Sequence, residues 1–393
     1  MTDLYLPTVA IATLGGTIVS AQTESGGIAP TVTPSDVVAQ IPGLSRVARV
    51  VTVDQLSSTP SPSLTIAGVF EAIEWAKRQL DARTDGVVLA LGTDTLEEVA
   101  FLADLVWAHQ TPLVITGAMR AGDAAGSDGP ANVLNAIATA VDPDIRGLGA
   151  LAVINDEVHL ASRVTKAHTV ATNAFTSVNG GPIGRVIEQQ LWIQNRPAQE
   201  HPAPLPRPGR TDHRVLVLEA GLAEDFAWLP ALLDADTAIA GIVIAGAGAG
   251  HVSETAVETL TPLLDRIPIV IASRTNAGST LRTTYGYPGG EIDLWARGFV
   301  FAGGLNARQA RMLLWLLTGL DVDRDSIVSA FAQHDPTAPP TWMGLTQGVT
   351  PKMVADSDAD SSPWKRRSDK SGKIAKARLS GWARGAQGSG STA

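Results

Sequence analysis

The sequence predicts an α/β protein in two domains, a larger N-terminal one around a parallel sheet and a smaller C-terminal α/β one. Three observations carry that reading. Short Val/Ile/Leu runs alternate with stretches whose apolar residues recur at helical spacing, several of the runs end in glycine turns, and a proline-rich break divides the alternation into two series. The 393 residues, 45% of them hydrophobic, suffice for one large core or two ordinary ones. A net charge of −9 argues against a nucleic-acid partner or an anionic membrane for the body of the protein. The chain has no cysteine, which removes disulfides, thiolate metal sites and cysteine nucleophiles, and leans toward the cytoplasm. No apolar run approaches the roughly 18 to 20 residues of a spanning helix, and Met1-Thr2-Asp3-Leu4 does not begin a secretory signal.

In chain order, strands are expected at 8–13, 48–53, 86–91, 112–116 and 149–154, each a compact apolar run. Leu64–Arg83 and Leu96–His109 carry the helical period, with charges expected on the opposite face. These elements form a domain over 1–193. From Gln194 to Arg210 five prolines appear with few residues able to pack, so 194–212 reads as a linker. Strands near 214–219, 240–245, 268–272 and 298–302, with helices near 253–265 and 306–319, make a second domain over 213–335. Residues 336–393 lose apolar periodicity; an acidic run at Asp356–Asp360 precedes a basic one from Lys365 to Arg384, and disorder is expected there.

Hydroxyls and charges recur where strands end. Val9-Ala10-Ile11-Ala12 leads into Gly15-Gly16-Thr17-Ile18, placing one threonine on an uncrowded turn at the carboxyl end of a strand, where open α/β sheets bind ligands. Its hydroxyl needs a partner to take its proton before it can act as a nucleophile. Val87–Leu91 runs into Gly92-Thr93-Asp94-Thr95-Leu96-Glu97-Glu98; read alone, Asp94 and Glu97 fit a capping box. A third turn is Gly117-Ala118-Met119-Arg120, followed by Ser127-Asp128-Gly129-Pro130, where Ser127 or Asp128 could cap the next helix. Arg163-Val164-Thr165-Lys166 closes a fourth segment, and an isolated lysine is ordinarily a solvated charge.

Together the four segments resemble the bacterial-type L-asparaginases, threonine-dependent amidohydrolases, over Ile11 to Phe331 and in the family's order. Phe175-Thr176-Ser177-Val178 is similar to a further family block. The resemblance implies a flavodoxin-like N-terminal sheet and hydrolysis of asparagine, with glutamine a second substrate, through a β-acyl ester on Thr17. It implies that Lys166, buried against Thr93, takes a proton through the Thr93 hydroxyl. Asp94 would bind the substrate's α-ammonium, and backbone amides around Gly92, Thr93 and Ala118 would stabilise the oxyanion. It implies no cofactor, and the sequence offers no metal-ligand motif. Family members assemble as homodimers or homotetramers.

Departures from the family pattern fall close to the nucleophile and the substrate. The loop 20–33, where relatives carry a tyrosine, has none; the chain's three tyrosines are Tyr5, Tyr285 and Tyr287. Tyr285, in a segment that relatives send into a neighbouring subunit's site, is expected to replace it, the alternative being a turn tyrosine stacked on Pro288. Gln55 stands where a serine commonly binds the substrate carboxylate, Leu91 where histidine is frequent, and His251 where several relatives supply asparagine from the other protomer. Two other readings are an asparaginase-like binding or sensing protein and a nucleotide-binding protein using Gly246–Gly250 and Arg274. The latter loop is G-x-G-x-G rather than G-x-G-x-x-G.

Overall fold

The computed structural model describes residues 6–24, 26–198 and 201–336. The chain divides into two compact units, Met1–Pro204 and Leu205–Ala393. The acidic and basic runs expected to be disordered lie outside the described residues.

In the first unit β1 (Thr8–Thr13) leads through a short hairpin, β2 (Ser20–Gln22) and β3 (Ile28–Pro30), to helices α1 (Pro34–Ala39) and α2 (Leu44–Val47). Then follow β4 (Arg49–Gln55), α3 (Ile66–Asp81), β5 (Gly86–Ala90), α4 (Leu96–Val106), β6 (Leu113–Thr116), α5 (Gly129–Ala140) and β7 (Ala150–Ile154). β4, β1, β5, β6 and β7 lie parallel in that spatial order, which by appearance in the chain is 2-1-3-4-5, the flavodoxin-like arrangement. Antiparallel β8 (Glu157–Leu160), β11 (Gly184–Ile187) and β12 (Gln190–Ile193) extend the sheet beyond β7. β9 (Val164–Lys166) and β10 (Phe175–Ser177) form a separate two-stranded sheet.

The central strands read as unbroken apolar runs because both sheet faces are covered: every residue of β5, β6 and β7 is buried. α5 packs on one face with α1 and α2 beside it, and α3 and α4 pack together on the other. Helix α3 starts at Thr65, whose side chain accepts from the Gly68 amide. Helix α4 departs from the expected amphipathic stretch over Leu96–His109. It stops at Val106, and its acids Glu97 and Asp104 are buried rather than solvated. Asp104 accepts from the Ala150 amide at 2.7 Å and from His201 at 2.8 Å, so its carboxylate fastens α4 to β7 and to the proline-rich stretch.

That stretch is better anchored than a linker of poorly packing residues. Asn195 donates to the Gly180 carbonyl, Arg196 to the Asp144 carbonyl, and Leu205 is buried.

The second unit is a four-stranded parallel sheet in sequential order, β13 (Arg214–Glu219), β14 (Ile239–Gly246), β15 (Ile269–Ser273) and β16 (Val300–Phe301). Its helices are α6 (Leu229–Ala235), α7 (Glu254–Leu260), α8 (Glu291–Arg297), α9 (Ala307–Gly319) and α10 (Arg324–Ala332). The single helix expected over 253–265 is α7 followed by a 3-10 turn at Thr261–Asp265 with Pro262 in its first turn, since proline lacks the amide an α-helix would need. Helix α9 opens with a full capping box, Asn306 with Gln309.

Candidate active site

The switch point of a 2-1-3-4-5 sheet lies between β1 and β5, and their carboxyl ends are brought together by glycine. Gly16 has φ 92° and ψ −179°, and a Cβ placed on it would lie 2.3 Å from the Gly92 nitrogen. Only a residue without a side chain lets the turn after β1 close onto the turn after β5. The Gly16 carbonyl accepts from the Ser20 hydroxyl at 2.9 Å, which fixes the turn from its other side. Thr17, partly exposed, opens the 3-10 turn Thr17–Val19 that follows. Among the described residues no group hydrogen-bonds its hydroxyl.

After β5, Thr93 and Asp94 lie on a second 3-10 turn, Thr93–Thr95, and both reach one lysine. Lys166 Nζ is 2.9 Å from Thr93 Oγ1 and 2.6 Å from Asp94 Oδ1. Lys166 is therefore drawn into the cluster, its side chain 14% exposed, while that of Asp94 is 62% exposed and open to a ligand. The capping-box reading of Asp94 and Glu97 is replaced. Thr95 is the N-cap of α4 and makes no side-chain cap bond; Asp94 is taken by Lys166, and Glu97 reaches β9, where it accepts from Thr165 Oγ1 and the Lys166 amide.

Asp128 likewise precedes α5 without capping it through its side chain. Its carboxylate accepts from the amides of Met119 and Arg120 and from Asn132 Nδ2, so it shapes the turn after β6. A Cβ on Gly117 would meet the Leu91 carbonyl at 2.6 Å and Thr93 Cγ2 at 3.0 Å, so this turn also packs on the second one. Ala118 is buried there, and its amide finds no acceptor among the described residues.

Gln55 ends β4 opposite Thr13 with its side chain exposed. The segment after β4 reaches the switch point twice: a Cβ on Gly15 would lie 2.6 Å from the Thr59 carbonyl oxygen and 2.8 Å from the Ser58 carbonyl carbon, and Ser61, which sequence reasoning missed, meets the second turn. Ser61 is buried, its Oγ accepts from the Asp94 amide at 3.3 Å and would lie 2.7 Å from a Cβ on Gly92, and its carbonyl accepts from Thr95 Oγ1. It sits in Ser61-Pro62-Ser63, a 3-10 turn with no apolar period; the nearest sequence signal was a small hydroxyl residue ahead of α3.

His159 is buried with Nδ1 3.0 Å from Ser177 Oγ, and burial, aided by the Arg185 charge, pushes its pKa down to about 4. This contact ties β8 to β10, the strand that pairs β9.

In the second unit, considered by itself, His251 and the two described tyrosines form one cluster. Glu291, buried, accepts from the amides of Thr284 and Tyr285 at 2.6 Å each and lies 3.0 Å from His251 Nε2. Burial raises its pKa, but these amides, its own amide and His251 outweigh that and leave it lowered. The other ring nitrogen of His251, Nδ1, lies 2.8 Å from the Tyr287 phenol oxygen. Tyr285 packs edge-on against His251 with ring centroids 5.0 Å apart. Arg274 donates to the Ala220 carbonyl. Among the described residues no group of three or more His, Asp or Glu is arranged to hold a metal ion, and no helix is long and apolar enough to cross a membrane.

Fold and site define a class: a two-unit α/β protein whose hydroxyls, lysine and carboxylate gather at the switch point of a flavodoxin-like sheet. The chain belongs to the asparaginase family. Residues 8–199 match the family model described as Asparaginase, N-terminal, and residues 214–331 match the Glutaminase/Asparaginase C-terminal domain. A probable L-asparaginase of Deinococcus radiodurans is 37% identical over 84% of this chain and 98% of its own length. L-asparaginase 2 of Escherichia coli is 32% identical over 84% of this chain and 94% of its own. The solved structure of a probable cytoplasmic L-asparaginase from Campylobacter jejuni superposes with a TM-score of 0.70 at 27% identity, over 83% of this chain and 99% of that one.

Proposed function

We propose that this protein hydrolyses L-asparagine to L-aspartate and ammonia through an acyl-enzyme on Thr17. The observation that carries the reading is Lys166 Nζ held at 2.9 Å from Thr93 Oγ1 and 2.6 Å from Asp94, on a turn closed against the one that bears Thr17.

Thr17 Oγ adds to the side-chain carboxamide carbon, and the amides of Ala118 and Thr93 face the oxyanion. Collapse breaks the C–N bond, and the nitrogen leaves as ammonia with the proton that Thr17 gave up. Water then adds to the ester while the Thr93–Lys166 pair takes its proton; the acyl C–O bond breaks and Thr17 recovers its hydrogen. The exposed Asp94 carboxylate takes the substrate's α-ammonium. Gln55, the last residue of β4, and Ser61, on the turn that follows, are the candidates for its α-carboxylate.

The second unit of a neighbouring copy, in a homodimer or homotetramer, supplies Tyr285 and His251. Tyr287, whose phenol already contacts His251, belongs with them. Glutamine is the expected second substrate, and the cysteine-free composition favours the cytoplasm.

Ammonia release from asparagine by the purified protein, abolished in Thr17→Ala, tests the proposal. No release from asparagine, glutamine or their D-forms, with ligand binding retained, would point instead to a binding or sensing protein.

A further inference from the structure

We propose that Glu97 is a positioning residue that fixes Lys166 against Thr93 by holding the backbone of β9. The role rests on the reading of Lys166 as a working part of the site.

Lysine has a long, freely rotating side chain, and the two bonds at its amine constrain only the far end. The near end depends on where β9 lies. β9 has three residues and pairs with the three-residue β10, outside the large sheet, which reaches it indirectly where His159 of β8 meets Ser177 of β10. Shifting a strand by one residue turns its side chains to the opposite face.

Glu97 adds a direct hold on β9 itself. The residue is 2% exposed, and a single carboxylate oxygen, Oε2, accepts from the Lys166 amide at 2.7 Å and from Thr165 Oγ1 at 2.8 Å. Glu97 lies three residues after Asp94, so one segment of chain grips the lysine at both ends. Thr93 and Asp94 hold the amine, and Glu97 holds the backbone. Burying an acid is costly unless it is well hydrogen-bonded, and an apolar residue would serve mere packing on this buried helix with less penalty.

The experiment is a double-mutant cycle of Glu97→Ala with Lys166→Ala, read as kcat and KM for asparagine, together with Glu97→Gln and Thr165→Val. Glu97→Ala is expected to lower kcat about tenfold or more with KM changed less than about threefold, and to add less than about twofold in the Lys166→Ala background. Glu97→Gln, whose amide oxygen can accept both bonds, is expected to recover kcat to within about threefold of the unmodified protein. A folded Glu97→Ala with unchanged kcat, or the same loss in both backgrounds, overturns the proposal. If Glu97→Ala does not fold, Thr165→Val carries the same cycle, with a loss of about threefold expected only where Lys166 is present.

Hydrogen exchange of the peptide spanning 164–167 reads the clamp without activity. Faster exchange at the Lys166 amide is expected in Glu97→Ala or, at that strand, in Thr165→Val, and unchanged exchange overturns the proposal. If the unmodified protein releases no ammonia, the functional reading fails while this exchange result still decides the role of Glu97.

Discussion

Gly16 is the residue on which the candidate site closes, because the backbone of the second turn occupies the space a side chain would need. Gly16→Ala places a carbon 2.3 Å from the Gly92 nitrogen at a φ that alanine resists, so it should lower stability by about 2–4 kcal/mol and abolish activity. A melting curve and an ammonia assay check this. Ser61 gives a milder case: if its hydroxyl helps bind the substrate carboxylate, Ser61→Ala should raise KM about tenfold with a smaller change in kcat, and steady-state kinetics will show it. The sequence made Thr17, Thr93, Asp94 and Lys166 legible because each follows an apolar strand or closes a motif of fixed order. It did not disclose Ser61, since a Ser-Pro-Ser turn has no periodicity and its importance comes from a contact with a residue thirty-odd positions away. The Asp94-x-x-Glu97 pattern misled for a related reason. Both carboxylates are claimed by a strand distant in sequence, and long-range partners override a local capping signature.

At the level of elements, β8 and β10 are joined by a buried histidine whose titration should be visible in stability. His159 binds its proton near pH 4 when folded and near 6.5 when free, so between those values the unfolded chain holds more protons and stability falls as the pH falls. The full contribution is present above about pH 6.5, and the loss by pH 4 is on the order of 3 kcal/mol. Glu157, 3.6 Å from Nε2, is itself paired with Arg185 and does not offset the burial. Thermal unfolding between pH 7 and 4.5 should show a steeper decline in the unmodified protein than in His159→Asn; equal slopes would assign the decline to other groups. His201 acts with the opposite sign. Burial lowers its pKa, but the charge and hydrogen bond of Asp104, with the Pro202 backbone, outweigh it, so that contact is present at low pH and is lost as pH rises through the folded value. The parallel strands of both sheets and the larger helices were readable from apolar period; the short strands β2, β3 and β8 to β12 were not. The anchoring of the proline-rich stretch was not, because composition reports how poorly a segment packs and says nothing of side chains elsewhere that reach for its backbone.

At the scale of the whole molecule, the two series of βα units were visible in the sequence, while the flavodoxin-like sheet was an expectation carried by the family resemblance, and the antiparallel extension beyond β7 was not foreseen. How copies of the chain cooperate was not visible either, since an interface carries no period. If a neighbour's second unit completes each site, mixing inactive Thr17→Ala with a Tyr285→Phe/Tyr287→Phe variant under conditions that exchange subunits should restore activity, because some sites then receive both intact parts. Recovery of none would place those tyrosines outside the reaction or the whole site within one chain. Removal of residues 337–393 is expected to leave kcat and KM for asparagine within about twofold, since every group proposed above for the reaction lies before them. The most direct test of the central claim is peptide mapping by mass spectrometry after acid quenching during asparagine turnover. A β-aspartyl ester on the peptide containing Thr17, absent in Thr17→Ala, is the predicted result; turnover with the ester on Thr93, or with Thr17→Ala fully active, would contradict it.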